Sequence, residues 1–157
     1  MNRVERFLAH AIALEREAAR RYEELSAAMQ TEGHLELKRF FAQMAHYSRL
    51  HLAEAQARSG FRTLPVLADH EYEWPDGTAP ETAGWAGVDA QMDGIAALEL
   101  ALDSERRGHA YYAAIAAVAR TPAVDPELAA LAQTFADEEA QHVAQLEKLL
   151  AARQAAA

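Results

Sequence analysis

The sequence contains no cysteine, no basic excess and no long apolar run, and each absence excludes a class of protein. Without thiols, the 157-residue chain cannot form disulfides, zinc ribbons or Cys-ligated iron–sulfur clusters. Its formal net charge of −9 disfavours binding to nucleic acids, which requires a basic face. No stretch approaches the roughly 18 apolar residues of a membrane span, and no signal peptide is expected. The sequence therefore predicts a single cytoplasmic domain, 1–157, with no nucleic-acid or membrane partner.

Residues that break or disfavour helices are also scarce. The chain has seven glycines and five prolines, and β-branched residues are few. Alanine makes up about a quarter of the chain, and the strong helix formers Leu, Glu, Gln and Arg supply much of the rest. This composition predicts an all-α protein.

Four segments carry apolar residues at alternating spacings of three and four, which place them on one face of a helix. The predicted helices are 2–30, 31 or 33 to 58, 89–120 and 125–153. Asn2 is the expected N-cap of the first helix, and Gly60 follows the end of the second. Asp125 and Pro126 are the expected N-cap and first residue of the fourth. Two helical pairs, each with a short connection, follow from this pattern.

A segment without helical periodicity, 61–88, separates the two pairs. It contains three of the five prolines and both tryptophans, Trp74 and Trp85. Because it is too long for an ordinary loop, we expect a crossover that runs along the bundle, with the tryptophans packed onto the helices. The predicted fold is a four-helix bundle with a long crossover between helices 2 and 3.

Polar residues interrupt the apolar stripe of every helix near its middle. The interrupting residues are Glu15, Ser48, His51, Glu105, Glu139 and His142. Several buried carboxylates in one layer repel one another, and no Lys or Arg falls on the stripes at that level to compensate them. Since Glu139 and His142 lie one turn apart on the same face, both can reach one ion. Carboxylates and imidazoles suit iron or manganese, with zinc as an alternative.

The same polar pattern occurs twice in the chain. Ninety residues separate Glu15 from Glu105, and 91 separate His51 from His142. A tyrosine follows each of the two glutamates by seven residues, Tyr22 in the first half and Tyr112 in the second. This repeat predicts two hairpins related by a pseudo-twofold axis that passes through the polar layer.

These residues resemble the rubrerythrin branch of the ferritin-like di-iron carboxylate proteins. The residues that match the metal-ligand positions of that family are Glu15, His51, Glu105, Glu139 and His142. Tyr22 and Tyr112 match the tyrosines beside the metals, for which the resemblance implies a catalytic role. It also implies a centre of two iron ions that reacts with hydrogen peroxide or oxygen. Because the cysteine-containing rubredoxin domain is absent, an external electron donor is expected.

The chain departs from the family pattern at two positions. Ser48 replaces the glutamate of helix 2, and Gly108 lies where rubrerythrin has a further carboxylate. A water, hydroxide or small anion, or a movement of Glu54 or His109, would complete a dinuclear centre; a single metal or no metal are the alternatives. The alternative functions are a structural or interaction module with a degenerate site, and iron storage. A homodimer is expected.

The remaining histidines are predicted to lie outside the site. His10, His34 and His70 are expected on outer faces or in the crossover, and His46 on the surface. Tyr47, one turn before His51, is interpreted as a packing residue, with a redox or access-controlling role as the alternative.

Overall fold

The computed structural model describes residues 3–60, 92–120 and 125–156, which form four α-helices. The helices are α1 (Arg3–Thr31), α2 (Leu35–Arg58), α3 (Gly94–Arg120) and α4 (Pro126–Ala156). These three ranges contain no strand, so the all-α class predicted from the sequence is confirmed. The predicted crossover, with Trp74, Trp85 and His70, lies outside the described residues, as does the expected cap Asn2.

Local signals explain most of the helix ends. Gly60 follows α2 with a φ of 71°, a left-handed conformation that a glycine adopts without steric cost. The Oδ1 atom of Asp125 accepts a hydrogen bond from the backbone N–H of Leu128 at 3.1 Å, so the predicted N-cap of α4 is confirmed. The predicted start of helix 3 at Asp89 is wrong. Asp93 accepts a hydrogen bond from the N–H of Ala96 at 2.8 Å and begins the helix at Gly94.

The helices pack as two antiparallel hairpins that together form a four-helix bundle. α1 packs along α2, and α3 packs along α4. The turn between α1 and α2 contains Gly33, whose φ of 77° lets the chain reverse within three residues. None of the described helices is long and apolar enough to span a membrane.

Two apolar clusters fill the bundle, one on each side of the predicted polar layer. One cluster includes Phe7, Tyr112 and Phe135. The other includes Leu25 and Phe41. Burying a large apolar side chain stabilises the fold by about 1.5–3 kcal/mol. The two clusters therefore offset the burial of the charged groups between them and hold those groups at fixed positions.

Candidate metal centre

The structure brings the five predicted ligands together between the two apolar clusters. They come from all four helices: Glu15 from α1, His51 from α2, Glu105 from α3, and Glu139 and His142 from α4. Glu15, Glu105 and Glu139 are only 2–3% exposed. The apolar stripe of each helix faces the bundle interior, so the polar residues that interrupt the stripes share one layer.

The five side chains form two groups that could each hold a metal ion. One group contains Glu15, His51 and Glu139, and the other contains Glu105, Glu139 and His142. Within each group, one ligand atom per residue lies within 4.8 Å of the others. Metal–ligand distances of about 2.0–2.2 Å place opposite ligands up to about 4.4 Å apart, so the spacing is close to that of a coordination shell. Glu139 belongs to both groups and is in position to bridge two ions.

Two tyrosines form reciprocal contacts between the hairpins. The Tyr22 hydroxyl of α1 donates a hydrogen bond to Oε1 of Glu105 on α3 at 2.5 Å. The Tyr112 hydroxyl of α3 donates to Oε1 of Glu15 on α1 at 3.4 Å. Each tyrosine thus orients the carboxylate of the opposite hairpin, in keeping with the pseudo-twofold relation that the internal repeat predicts.

Several polar atoms of the layer are buried without a hydrogen bond. Among the described residues, Oε2 of Glu105, Oε2 of Glu139 and Nδ1 of His142 have no hydrogen-bond partner, although the first and the third lie 3.7 Å apart, within ion-pair distance. Buried polar atoms are almost always paired, because leaving one unpaired costs about 1–3 kcal/mol. All three atoms belong to one of the two ligand groups. A bound cation would satisfy them, so this donor set fits a metal ion.

Burial and mutual contacts shift the pKa values of two ligands. Burial raises the pKa of Glu15, the nearby Glu105 carboxylate adds to this effect, and His51 opposes it. Burial acts to lower the pKa of His51, but contacts with Glu138 and Glu15 outweigh it and raise that pKa to about 10. Without a metal, His51 is therefore protonated at neutral pH. An incoming cation must displace this proton.

Glu138 is a residue of the site that the sequence reading missed. Its Oε2 atom lies 2.9 Å from Nε2 of His51, while Nδ1 of the same ring lies 3.5 Å from Oε1 of Glu15. His51 is therefore held between two carboxylates, with Nδ1 facing the ligand group. A carboxylate on the outer ring nitrogen fixes the orientation of a ligating histidine. The signal in the sequence is the pair of consecutive glutamates in 138–139, of which the apolar periodicity singles out only Glu139.

Neither of the two residues expected to compensate for Ser48 joins the candidate ligands. Ser48 is buried in the layer at 5% exposure. Glu54, a proposed replacement, instead pairs with Arg58 at 3.2 Å. Neither Glu54 nor His109 joins either ligand group within the described residues. Each group therefore consists of one glutamate of its own, one histidine and Glu139, which is common to both groups.

The histidine side of the layer is closer to solvent than the carboxylate side. The side chains of His51 and His142 are 12% and 13% exposed, and their rings stack with centroids 5.7 Å apart. Tyr47, half-buried, stacks on His142 at 5.5 Å. Tyr47 therefore packs directly on a candidate ligand.

The outer-face assignment of His10 is wrong. This side chain is 3% exposed, and its Nδ1 atom lies 2.6 Å from the Tyr111 hydroxyl. Phe7 to Ala11 are all buried, so α1 is enclosed on more than one face near its N-terminus. Burial, with a smaller effect of Arg6, lowers the pKa of His10 to about 4. His46 is exposed as expected, and His34 is half-buried.

Comparison with solved structures identifies a related protein. The chain is 41% identical to an uncharacterized conserved protein from Magnetospirillum magnetotacticum MS-1, whose crystal structure matches with a TM-score of 0.75. The match covers 96% of this chain and 94% of the other. A scan against family models finds no match, and neither does a search of curated proteins. On this identity and coverage, the chain belongs to the same family as the Magnetospirillum protein, a family with an all-helical, ferritin-like fold.

Proposed function

We propose that this protein is a rubrerythrin-like di-iron protein that reduces hydrogen peroxide or oxygen with electrons from an external donor. The observation that supports this best is the pair of ligand groups that share Glu139. A shared carboxylate between two similar donor sets is the arrangement that holds two ions in bundles of this kind. A single-ion site would not need a glutamate common to two groups.

The donor set is compatible with iron, the proposed metal. Each ion would have oxygen ligands and one imidazole nitrogen, a combination that suits iron and manganese, with zinc possible. The site contains no thiolate, which would favour softer ions. Metal analysis of the purified protein would distinguish iron, manganese and zinc.

When bound, two ferrous ions supply two electrons, which with two protons reduce one hydrogen peroxide molecule to two waters. The protein residues provide the surroundings for this chemistry. The apolar clusters exclude bulk water from both ends of the layer. Tyr22 and Tyr112 hold protons at hydroxyls that contact the terminal glutamates. The solvent-facing edge beside His51 and His142 is the proposed entry route for the oxidant.

The serine at position 48 is buried in the layer and supplies no carboxylate. The candidate ligands Glu15, Glu105 and Glu139 supply three negative charges to two divalent ions, and the fourth carboxylate of the site, Glu138, contacts His51 instead of joining a ligand group. A hydroxide or small anion beside Ser48 would complete the ligand set, and the same position would be open to the oxidant.

Metal stoichiometry is the first test. Metal-free protein is incubated anaerobically with Fe(II), separated from free iron and analysed for iron per chain. We expect about two equivalents for the natural protein and fewer than one for Glu139→Gln, because both ligand groups lose a shared oxygen anion. Glu147→Gln, at an exposed glutamate on the same helix, is the matched control and should retain two. Absence of bound iron, manganese and zinc in the natural protein would support the structural-module alternative.

Reactivity is the second test. The ferrous protein is mixed with hydrogen peroxide in a stopped-flow spectrometer, and ferric absorbance is followed. We expect oxidation faster than that of free Fe(II), with one peroxide consumed per two irons. If two irons bind but react no faster than free iron, the metal-binding proposal stands and the redox proposal is wrong.

A further inference from the structure

The two ligand groups differ in what contacts the outer side of their histidines. Oε2 of Glu138 lies 2.9 Å from Nε2 of His51. Beside His142 the corresponding group is the ring of Tyr47, with ring centroids 5.5 Å apart. Glu138 follows Tyr47 by 91 residues, the offset that also relates His142 to His51, so the two occupy equivalent positions of the internal repeat. The two groups therefore contain the same types of ligand but have different neighbours.

The carboxylate of Glu138 is directed at the imidazole of His51. Its Oε2 atom is buried, although the side chain as a whole is 31% exposed. This atom has no hydrogen-bond partner within the described ranges, and the His51 ring is the charged group at ion-pair distance from it. Nδ1 of the same ring faces Glu15 at 3.5 Å. The contact joins α4 to α2 and fixes the ring with Nδ1 towards the ligand group.

His142 lacks an equivalent carboxylate behind its ring. Within the described part of the chain, the carboxylate at ion-pair distance from His142 is that of Glu105, 3.7 Å from Nδ1, and Glu105 is itself a candidate ligand. The half-buried Tyr47 ring lies nearly parallel to the imidazole, at an angle of 19°. This stacking restricts the imidazole, but a phenol ring brings no formal charge to it.

A carboxylate behind a ligating imidazole strengthens metal binding. It fixes the ring orientation and makes the ligating nitrogen more basic, and removal of such a partner lowers metal affinity by about 10–100-fold. Its negative charge also attracts a divalent ion about twice as strongly as it attracts a single proton at the same position. Metal binding at Nδ1 of His51 therefore gains more from Glu138 than protonation at that atom does.

We propose that the two ligand groups bind metal ions unequally, and that Glu138 is the positioning residue that makes the group containing His51 the tighter one. The group containing His142 holds the second ion, which exchanges more readily. This inference rests on the proposed function, since it requires two ions per chain. The intrinsic affinities of the two groups should differ at least about tenfold.

The test is an anaerobic titration of the metal-free full-length protein with Fe(II) in competition with a chelator, which yields a dissociation constant for each ion. Glu138→Gln keeps the size of the side chain and removes its charge, so it should raise the dissociation constant of the first ion at least about tenfold. Glu138→Asp keeps the charge and should retain part of the tight binding. Tyr47→Phe, at the equivalent position of the other half, is the matched control and should leave that constant unchanged.

Histidine variants identify the group that binds the first ion. His142→Ala should keep the tight constant and lose the second ion, whereas His51→Ala should bind one ion with the weaker constant. With one equivalent of Fe(II), the proton NMR spectrum of the natural protein should show one strongly shifted, exchangeable imidazole N–H signal, which His51→Ala should lack. Tyr47→Glu places a carboxylate beside His142 and should tighten the second ion about tenfold. Circular dichroism of each metal-free variant checks that the helices are retained.

The inference and the proposed function fail in different ways. Loss of the tight constant in His142→Ala but not in His51→Ala would overturn the inference, and so would equal weakening of both ions by Glu138→Gln. In either case two irons per chain would still support the proposed di-iron function. If the natural protein binds no metal ion, the proposed function is wrong and the inference is wrong with it.

Discussion

Replacing the shared carboxylate should stabilise the metal-free protein while removing its response to metal. Glu139 is 2% exposed, and its Oε2 atom has no hydrogen-bond partner among the described residues. A buried polar group without a partner costs about 1–3 kcal/mol. Methionine has a similar length and no charge, so Glu139→Met should recover most of this free energy, as replacement of buried charged groups by apolar ones often does.

The size of the effect is measurable by thermal unfolding. For a domain of about 150 residues, 1 kcal/mol shifts the melting temperature by about 2–4 °C, so metal-free Glu139→Met should melt about 2–12 °C above the natural protein. Addition of Fe(II) or Mn(II) should reverse this order, so that the natural protein has the higher melting temperature. At a hundredfold excess over the dissociation constant, each ion stabilises the natural protein by about 2.7 kcal/mol, whereas the variant should gain little.

The assay is differential scanning calorimetry with chelator and with added metal under anaerobic conditions. Glu147→Met, at an exposed position of α4, is the control; its stability should change by less than about 0.5 kcal/mol, and its response to metal should be that of the natural protein. The reasoning is refuted if metal-free Glu139→Met melts below the natural protein, or if it retains the full rise in melting temperature with metal.

Three further changes have defined outcomes. Tyr111→Phe removes the hydroxyl 2.6 Å from His10 and should lower the free energy of unfolding by about 1–2 kcal/mol in urea titrations, whereas Tyr47→Phe, at a half-buried position, should cost less than about 0.5 kcal/mol. The pKa of His10 falls from 6.5 to about 4 on folding, so the unfolded chain binds a proton there first. Its contribution to stability should be complete above pH 6.5 and decrease as the pH falls towards 4, and His10→Asn should show a smaller loss over that interval. On the proposed di-iron function, Ser48→Glu adds a carboxylate to the ligand layer and should tighten the binding of the second metal ion at least about tenfold in competition titrations with a chelator.

The candidate ligands could be predicted from the sequence because their signal is local. Helix periodicity fixes which residues share a face, and Glu15, Glu105 and Glu139 interrupt otherwise apolar faces. The structure buries all three in one layer. The N-cap of α4 was predictable for the same reason, since Asp125 bonds to a residue three positions away.

Glu138 and His10 could not be predicted in this way, because their environments depend on how the helices are rotated against one another. Glu138 lies one position off the α4 stripe, and its contact with His51 crosses to α2. His10 lies on what the periodicity marks as the outer face of α1, but that end of the helix is buried on several sides. The sequence places the start of α3 at Asp89, because apolar residues continue on the N-terminal side of Asp93. Asp93 nevertheless caps the helix, which begins at Gly94.

The sequence by itself determined the helical composition, the short turns within each hairpin, the absence of thiol ligands and the polar residues that share each helix face. All of these follow from composition and from spacings of a few residues. Only the tertiary structure decided that Glu139 is common to two ligand groups, that Tyr22 and Tyr112 reach the glutamates of the opposite hairpin, and that Glu138 contacts His51. These features join residues that are far apart in the chain, and they exist because the packing of apolar side chains sets the relative rotation and height of the four helices.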